Sequence, residues 1–171
     1  IMPTGILVPP TLERTWQASP LRMVYGGRIV QQQKRVLDFV SLVNALLERG
    51  CDFTFDIVGQ GRQLGELKHA MANLSHGGRV RFLGKVTPAA MDAIWRDHDV
   101  FLQCSDFEGT SNSMLESMAQ GTIPVVTQTE SGLAGIIEHG ANGFLVPVGD
   151  MEAMAGVLCG LAEDPARLRI L

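Results

Sequence analysis

The fold is decided by one stretch of the sequence, which reads Asp99-Val-Phe-Leu-Gln-Cys-Ser-Asp-Phe-Glu-Gly-Thr-Ser-Asn-Ser-Met-Leu-Glu-Ser-Met-Ala-Gln-Gly-Thr-Ile-Pro-Val-Val-Thr127. Its first part, Val100 to Cys104, is an apolar run typical of a buried strand, and a polar loop follows it. Residues Asn112 to Gln120 predict a helix that a glycine ends, and Ile123 to Val126 is a second apolar strand. A loop between a parallel strand and the following helix lies at the carboxyl end of that strand, where open α/β sheets bind their ligands. We therefore expect a binding site in this loop.

Strands and helices alternate in the same way on both sides of this stretch. Such alternation predicts a parallel sheet with helices on both faces, and the commonest order for six strands is 3-2-1-4-5-6. The predicted fold class is α/β, a Rossmann-like doubly wound six-stranded sheet. Thr87, followed by Pro88, and Asp150 are predicted to cap the helices that follow them. The other predicted elements are strands at Leu21–Tyr25, Phe53–Val58, Val80–Leu83 and Phe144–Val146, and helices at Gln33–Arg49, Arg62–Leu74 and Gly132–His139, with the last helix ending near Glu163.

The chain divides into a connector and one domain. Residues 1–20 are rich in proline and carry no sustained periodicity, which predicts a connector running over a surface. Residues 21–171 predict a single domain, because a chain of 171 residues with 46% hydrophobic residues suits one core. The sequence begins at Ile1 and stops at Leu171, just after a helical pattern. We therefore expect it to be a piece of a longer protein.

Charge and cysteine content argue against several classes of function. The net charge of -4 argues against a general nucleic-acid binder, so we expect no nucleic-acid partner. The cysteines are far apart and lie in or beside apolar runs, which is typical of reduced thiols in a cytosolic protein. The sequence shows neither an apolar run of about 18 residues nor a leader pattern, so we expect a cytoplasmic location. These observations leave open a peripheral association of the full protein with the inner face of the membrane. The histidines lack metal-ligand spacing.

The predicted strand order brings two loops to one crevice. Strands 1 and 4 are neighbours in it, so Gly26-Gly27-Arg28 after the first strand faces the loop from Ser105 to Asn112. Arg28 and Lys34 suit a diphosphate, because each charge-assisted hydrogen bond to a phosphate contributes about 1.5–3 kcal/mol. Glu116 can accept hydrogen bonds from both hydroxyls of a ribose, and Glu108 from the group attached to the second phosphate. Together these residues describe a site for a nucleoside-diphosphate sugar.

These motifs resemble the nucleotide-sugar-binding half of retaining glycosyltransferases of the GT-B fold, most closely those of glycosyltransferase family 4. The strongest likeness is the Glu-x7-Glu element from Glu108 to Glu116, with the sequence that follows it. The chain departs from the family's usual Gly-Phe-Gly or Gly-Leu-Pro at Gly109-Thr-Ser111, and Gly135 stands where a glutamate is usual. Further similar motifs are Ser117-Met-Ala-Gln-Gly121, Pro124-Val-Val126, Gly27-Arg28 with Lys34, Ile57-Val-Gly-Gln-Gly61, Val80-Arg-Phe-Leu-Gly84 and Asn142-Gly-Phe-Leu-Val-Pro147.

The resemblance implies transfer of a sugar from a nucleoside-diphosphate sugar to an acceptor with retained anomeric configuration, with no metal and no other cofactor. The acceptor would be bound mainly by an N-terminal domain that is absent from this chain, so we expect little transfer by the chain alone. The nucleotide base, the sugar and the acceptor are left open. The implied catalytic residues are Glu108, Arg28 and Lys34, and the implied donor-binding residues are Gly27, Arg28, Lys34, Gly84, Lys85, Val86, Glu108, Gly109, Thr110, Ser111, Asn112 and Glu116.

Three other hypotheses stay open. Gly59-Gln-Gly-Arg-Gln-Leu-Gly65 follows a strand and is similar to a dinucleotide fingerprint, which would indicate an oxidoreductase, although its last spacing is one residue too long. A sugar-nucleotide epimerase of the same fold is an alternative close to the transferase. A non-catalytic nucleotide-binding or interaction module is another, and as a pure interaction module it would bind no nucleotide. Two acids around a helix start can also do no more than complement its dipole, a stabilisation of about 0.3–1 kcal/mol.

Overall fold

A computed structural model of the chain describes residues 6, 8–9, 19–72, 74, 77–129 and 135–170. The strands are β1 (Leu21–Gly26), β2 (Phe53–Val58), β3 (Val80–Gly84), β4 (Val100–Gln103), β5 (Ile123–Thr127) and β6 (Phe144–Val146). The helices are α1 (Gln31–Lys34), α2 (Asp38–Glu48), α3 (Leu64–Met71), α4 (Pro88–Asp97), α5 (Asn112–Ala119) and α6 (Met151–Glu163), with a 3-10 helix at Arg167–Arg169.

All six strands form one parallel sheet in the order β3-β2-β1-β4-β5-β6. The predicted order is therefore confirmed. At the centre of the sheet β1 pairs with β4, and Met23 lies opposite Val100. Because parallel strands end at the same edge, the loops after β1 and β4 leave the sheet side by side.

Two apolar layers hold helices against the two faces of the sheet. Successive strand residues point to opposite faces, so Met23 packs in one layer and Val24 in the other. The larger layer includes Phe39 of α2 and Leu158 of α6, and the smaller one is centred on Trp95 of α4. Each large side chain that is fully buried in this way stabilises the fold by about 1.5–3 kcal/mol.

The predicted helix caps are confirmed. The Oγ1 atom of Thr87 accepts a hydrogen bond from the amide of Ala90 at 3.3 Å, and Pro88 occupies the first turn of α4. The carboxylate of Asp150 accepts from the amide of Ala153 at 2.8 Å and begins α6. Such caps satisfy amides at the start of a helix that have no partner within it.

The single helix predicted at Gln33–Arg49 is wrong, because the chain forms two helices there. Arg35 separates α1 from α2 in the left-handed conformation, with φ 48° and ψ 39°. The side chain of Gln31 accepts a hydrogen bond from the amide of Leu37 at 2.8 Å, which replaces a helical bond. Arg35 itself reaches Asp38 at 2.7 Å and Asp106 at 3.0 Å, so bonds to distant residues stabilise the break.

The helix predicted at Gly132–His139 is also not formed in the part that the structure describes. Residues 130–134 lie outside the described part, and from Gly135 to His139 the chain makes turns and a bridge to Gly143. Gly135 has a φ of 111°, which a helix does not allow. The side chain of Asn142 accepts from the amide of Glu138 at 2.8 Å and donates to the carbonyl of Ile136 at 2.9 Å. These local bonds take the place of helical ones.

Of the predicted connector, the structure describes Ile6, Val8, Pro9 and residues 19–20, and none of these lies in a helix or strand. Among the described residues, no helix has both the length and the apolar character needed to cross a membrane.

A buried carboxylate ties β2 and the edge strand β3 to the end of α4. Asp56 of β2 is 2% exposed, and Arg81 of β3 donates to its two oxygens at 2.7 and 2.6 Å. The Nε2 atom of His98 lies 3.1 Å from the same carboxylate, while its Nδ1 atom lies 2.7 Å from the carbonyl of Ile94. Burial alone would raise the pKa of Asp56, but the hydrogen bonds from His98 and Arg81 outweigh it and lower that pKa.

We expect Asp56→Asn to lower the free energy of unfolding by about 3 kcal/mol, because it removes one partner of a buried charge network. The pKa of Asp56 is lowered in the folded state. Its stabilisation is therefore complete above the ordinary carboxylate pKa of about 4 and is lost as the pH falls through the lower folded-state value. Urea denaturation at neutral pH and at acidic pH measures both effects.

Glu152→Gln is the matched control for this prediction. It breaks the exposed pair between Glu152 and Arg49, whose atoms lie 2.7 Å apart, and should cost less than about 1 kcal/mol. Equal stability of the two variants at neutral pH would contradict the structural role of Asp56.

Candidate functional site

A cleft of about 930 Å³ opens at the carboxyl end of the sheet. Its lining includes the backbone of Gly27 after β1, Lys85 and Val86 after β3, and Glu116 on α5. Four of the predicted donor-binding residues therefore share one cleft. Glu116 lies within α5, as the sequence predicts, and it is exposed.

Glycines allow two loops to lie directly on each other beside this cleft. The amide of Gly27 donates to the carbonyl of Val58 at 3.0 Å. The amide of Ile29 donates to the carbonyl of Gln60 at 2.9 Å. A Cβ atom at Gly59 would lie 1.8 Å from the carbonyl oxygen of Gly27, and one at Gly61 would lie 2.1 Å from that of Ile29. The glycine run that is similar to a dinucleotide fingerprint thus has a packing role, which removes the main support for the oxidoreductase hypothesis.

Gln33 joins the loop after β1 to the loop after β4. An Nη atom of Arg28 donates to the Oε1 atom of Gln33 at 2.6 Å, and the Nε2 atom of Gln33 donates to the carbonyl of Phe107 at 3.3 Å. The backbone carbonyl of Gln33 accepts from the amide of Asp106 at 2.9 Å. The structure therefore brings the two predicted loops together. The sequence analysis missed Gln33, since no local signal marks a glutamine that bonds to Phe107, which lies 74 residues away.

Lys34 and Glu108, both predicted site residues, form an ion pair with each other. The Oε1 atom of Glu108 accepts from the Nζ atom of Lys34 and, at 2.6 Å, from the Oγ atom of Ser105. Glu108 is 6% exposed and Lys34 is half-buried, so the carboxylate lies inside the loop rather than at its tip. Neither residue is among the described residues that line the cleft.

The residues of the predicted donor-binding loop differ in burial. Gly109, Thr110 and Asn112 are exposed, whereas the buried Ser111 donates from its Oγ atom to the Oε1 atom of Gln103 at 2.7 Å. The side chain of Ser111 makes no cap bond to α5, and the first turn of that helix carries no acidic residue. The positive end of the helix dipole is thus open to an anion.

Gly84, the remaining predicted residue, supports the cleft from outside its described lining. Its carbonyl accepts a hydrogen bond from the amide of Gly59 at 2.8 Å, and its φ of 69° is one that glycine adopts readily.

The Asp-x-Asp sequence formed by Asp97 and Asp99 lies away from the cleft. Asp99 precedes β4 at the opposite edge of the sheet, and its carboxylate accepts from the guanidinium of Arg22 at 2.9 and 2.7 Å. Among the described residues, no group of three or more His, Cys, Asp or Glu side chains is arranged to hold a metal ion.

Comparison with known proteins gives a family for the chain. Residues 20–164 match the family described as Glycosyl transferases group 1. The amylovoran biosynthesis glycosyltransferase AmsK of Erwinia amylovora is 30% identical over 153 residues, which cover 86% of this chain and 37% of that protein. The chain thus spans little more than a third of this relative.

Solved structures share the fold. The structure of TarM from S. aureus, in complex with fondaparinux, α-GlcNAc-glycerol and UDP, matches 94% of this chain and 32% of its own, with a TM-score of 0.84 and 18% identity. The C-terminal domain of the group 1 protein LpcC from Francisella tularensis matches 87% of this chain and 78% of its own, with a TM-score of 0.74 and 23% identity. These similarities confirm the Rossmann-like half of a GT-B fold. The LpcC structure also shows that a domain of this fold can crystallise without the rest of its protein.

We expect Gly61→Ala to lower the free energy of unfolding by about 1–3 kcal/mol, because the new methyl group would collide with the backbone oxygen of Ile29. Gly65→Ala is the matched control: nothing lies within 4 Å of its Cβ position, and it lies in α3. The control should gain about 0.5–1 kcal/mol from the better helix propensity of alanine. Thermal unfolding of both variants is the measurement, and a Gly61→Ala protein as stable as the control would refute the close approach of the two loops.

Proposed function

The chain belongs to the glycosyl transferases group 1 family, and from this premise we propose that it is the part of a retaining glycosyltransferase that binds the nucleoside-diphosphate sugar. One observation carries the proposal: the exposed carboxylate of Glu116 and the glycine backbone before Arg28 border the same cleft at the carboxyl end of the sheet. A carboxylate suits the two hydroxyls of a ribose, because both of its oxygens accept hydrogen bonds.

The charges around the cleft favour a diphosphate beside that ribose. Arg28 follows the glycine turn directly and is exposed, and the amino end of α5 faces the same region with its positive dipole. Lys34 contributes a second cation close to the loop after β4. A guanidinium bonds phosphate oxygens through a planar fork, and each charge-assisted bond contributes about 1.5–3 kcal/mol.

These groups define the chemistry that we assign to the site. The bond between the anomeric carbon and the diphosphate oxygen breaks, and the acceptor oxygen forms the new bond on the same face of the sugar. The acceptor's proton passes to the leaving diphosphate, whose charge Arg28, Lys34 and the α5 amides stabilise. Glu108 would orient hydroxyls of the sugar through its carboxylate. Because these groups supply positive charge, we propose that the reaction needs no metal.

The remaining parts of the proposal concern the whole protein. The acceptor would bind mainly to an N-terminal domain outside this chain, and closure of the two domains would exclude water from the reaction. We place the full protein in the cytoplasm, with the inner face of the membrane as the site of any peripheral attachment.

We expect the chain to bind one of UDP, GDP and ADP in metal-free calorimetry, and to lose about tenfold or more of that affinity in Arg28→Ala and in Glu116→Ala. Each variant removes charge-assisted hydrogen bonds, and about 1.4 kcal/mol corresponds to tenfold in affinity.

Arg49→Ala is the matched control for Arg28→Ala, and Glu152→Ala is the matched control for Glu116→Ala. Each control removes a charge of the same sign as its site variant, but from an exposed ion pair between the end of α2 and α6. Unchanged affinity in both site variants would refute the proposed function. Binding of NADH without any nucleoside diphosphate would favour an oxidoreductase, and binding of none of the four would favour a non-catalytic module.

A further inference from the structure

We propose that Lys34 and Glu108 act as one ion-paired unit beside the donor site, and that Arg28, which is not part of this unit, offers its positive charge to the diphosphate uncompensated. The inference rests on the proposed function, because its ligand is the nucleoside diphosphate. It assigns different roles to two cations that the sequence places side by side.

The pairing of Lys34 is the first observation. Its Nζ atom and the Oγ atom of Ser105 both donate to the Oε1 atom of Glu108. The side chains of Lys34 and Glu108 are only 15% and 7% exposed. Ser105 is itself fully buried, and its carbonyl accepts a hydrogen bond from Thr127 of β5 at 2.6 Å. The carboxylate is therefore anchored through β4 and β5 to the centre of the sheet, and Lys34 neutralises it there.

Arg28 has a different environment. It is exposed, and its guanidinium donates to the neutral amide oxygen of Gln33. Within the part of the chain that the structure describes, no carboxylate forms an ion pair with Arg28. Gln33 fixes the side chain of Arg28 without cancelling its charge, so this residue keeps a full positive charge to offer an anion.

The hydroxyl of Tyr25 lies against the loop that carries Arg28. It donates to the carbonyl of Arg28 at 2.7 Å. Burial raises the pKa of this hydroxyl, the negative charge of Glu108 raises it further, and the positive charge of Arg28 acts in the opposite direction. A diphosphate bound to the loop that carries Arg28 would also lie close to Glu108, because Gln33 bonds both to Arg28 and to the carbonyl of Phe107, the residue before Glu108.

The consequence is that the effect of losing Lys34 depends on Glu108. Without Lys34, the buried carboxylate of Glu108 would lose its ion pair and would repel the bound diphosphate more strongly. With Glu108 replaced by its neutral isostere, Lys34 would be released and could bond to the phosphates directly. A lysine that acted as an independent clamp would instead contribute the same amount whether or not Glu108 is charged.

The experiment is a double-mutant cycle with Lys34→Met and Glu108→Gln, read by metal-free calorimetry with whichever of UDP, GDP and ADP the unmodified chain binds. We expect Glu108→Gln to tighten binding about threefold in the unmodified chain, and Lys34→Met to weaken it about thirtyfold. In the Lys34→Met background, Glu108→Gln should tighten binding about tenfold or more, because it then removes a carboxylate charge that has lost its ion pair with Lys34.

Arg28→Met provides the matched background, since Arg28 is not ion-paired with Glu108. There, Glu108→Gln should tighten binding only by the factor seen in the unmodified chain. An effect of Glu108→Gln that is no larger with Lys34→Met than without it would overturn the inference.

Thermal unfolding checks that each variant is folded. Should Lys34→Met not fold, Glu108→Gln alone decides: tighter binding supports the inference, and equal or weaker binding overturns it. If the unmodified chain binds none of the three diphosphates, the proposed function fails and this inference fails with it. If the unmodified chain binds and the cycle shows no coupling, only this inference fails.

Discussion

The parallel pairing of β1 with β4 at the centre of the sheet is the constraint on which the site depends. Each strand ends at the same edge, so the loop that carries Arg28 and the loop that carries Glu108 must emerge side by side. The other contacts of the site follow from this arrangement of the two loops. Gln33 bonds to both loops. The helix that follows β4, α5, places Glu116 in the lining of the cleft.

Close packing of backbone on backbone then gives the first loop its shape. The loop from Gly27 to Ile29 lies on the loop after β2, and only glycine fits at Gly59 and Gly61 because any Cβ would meet a carbonyl oxygen. The same steric rule applies to a glycine that approaches a phosphate and to a glycine that approaches another loop. A glycine-rich sequence therefore indicates a close approach without identifying what approaches, and here the partner is the neighbouring loop.

The sequence was sufficient to predict strands, helix starts and strand order where the local pattern of residues agrees with the final fold. The bounds of β2 and β6 follow from apolar runs, the starts of α4 and α6 follow from Thr87 and Asp150, and the strand order follows from alternation. It failed at Arg35, where the helix pattern continues but the chain turns left-handed. The contacts that favour this turn include Asp106, which lies 71 residues away and cannot be located from periodicity. The pairing of Lys34 with Glu108 is of the same kind: the sequence predicts that their loops meet, but not which side chains bond.

The arginine side chains have different kinds of partner at the two edges of the sheet where the strands begin and end. Near the amino ends of the strands, Arg22 is bound to the buried Asp99, and in the middle Arg81 is bound to Asp56. Both cations are compensated by buried carboxylates. At the carboxyl edge, Glu108 is compensated by Lys34, while Arg28 is held by a neutral amide. Holding a cation with an amide preserves its charge, whereas holding it with a carboxylate cancels it. Gln33 thus leaves the charge of Arg28 available, which agrees with the anionic ligand that we propose for this edge of the sheet.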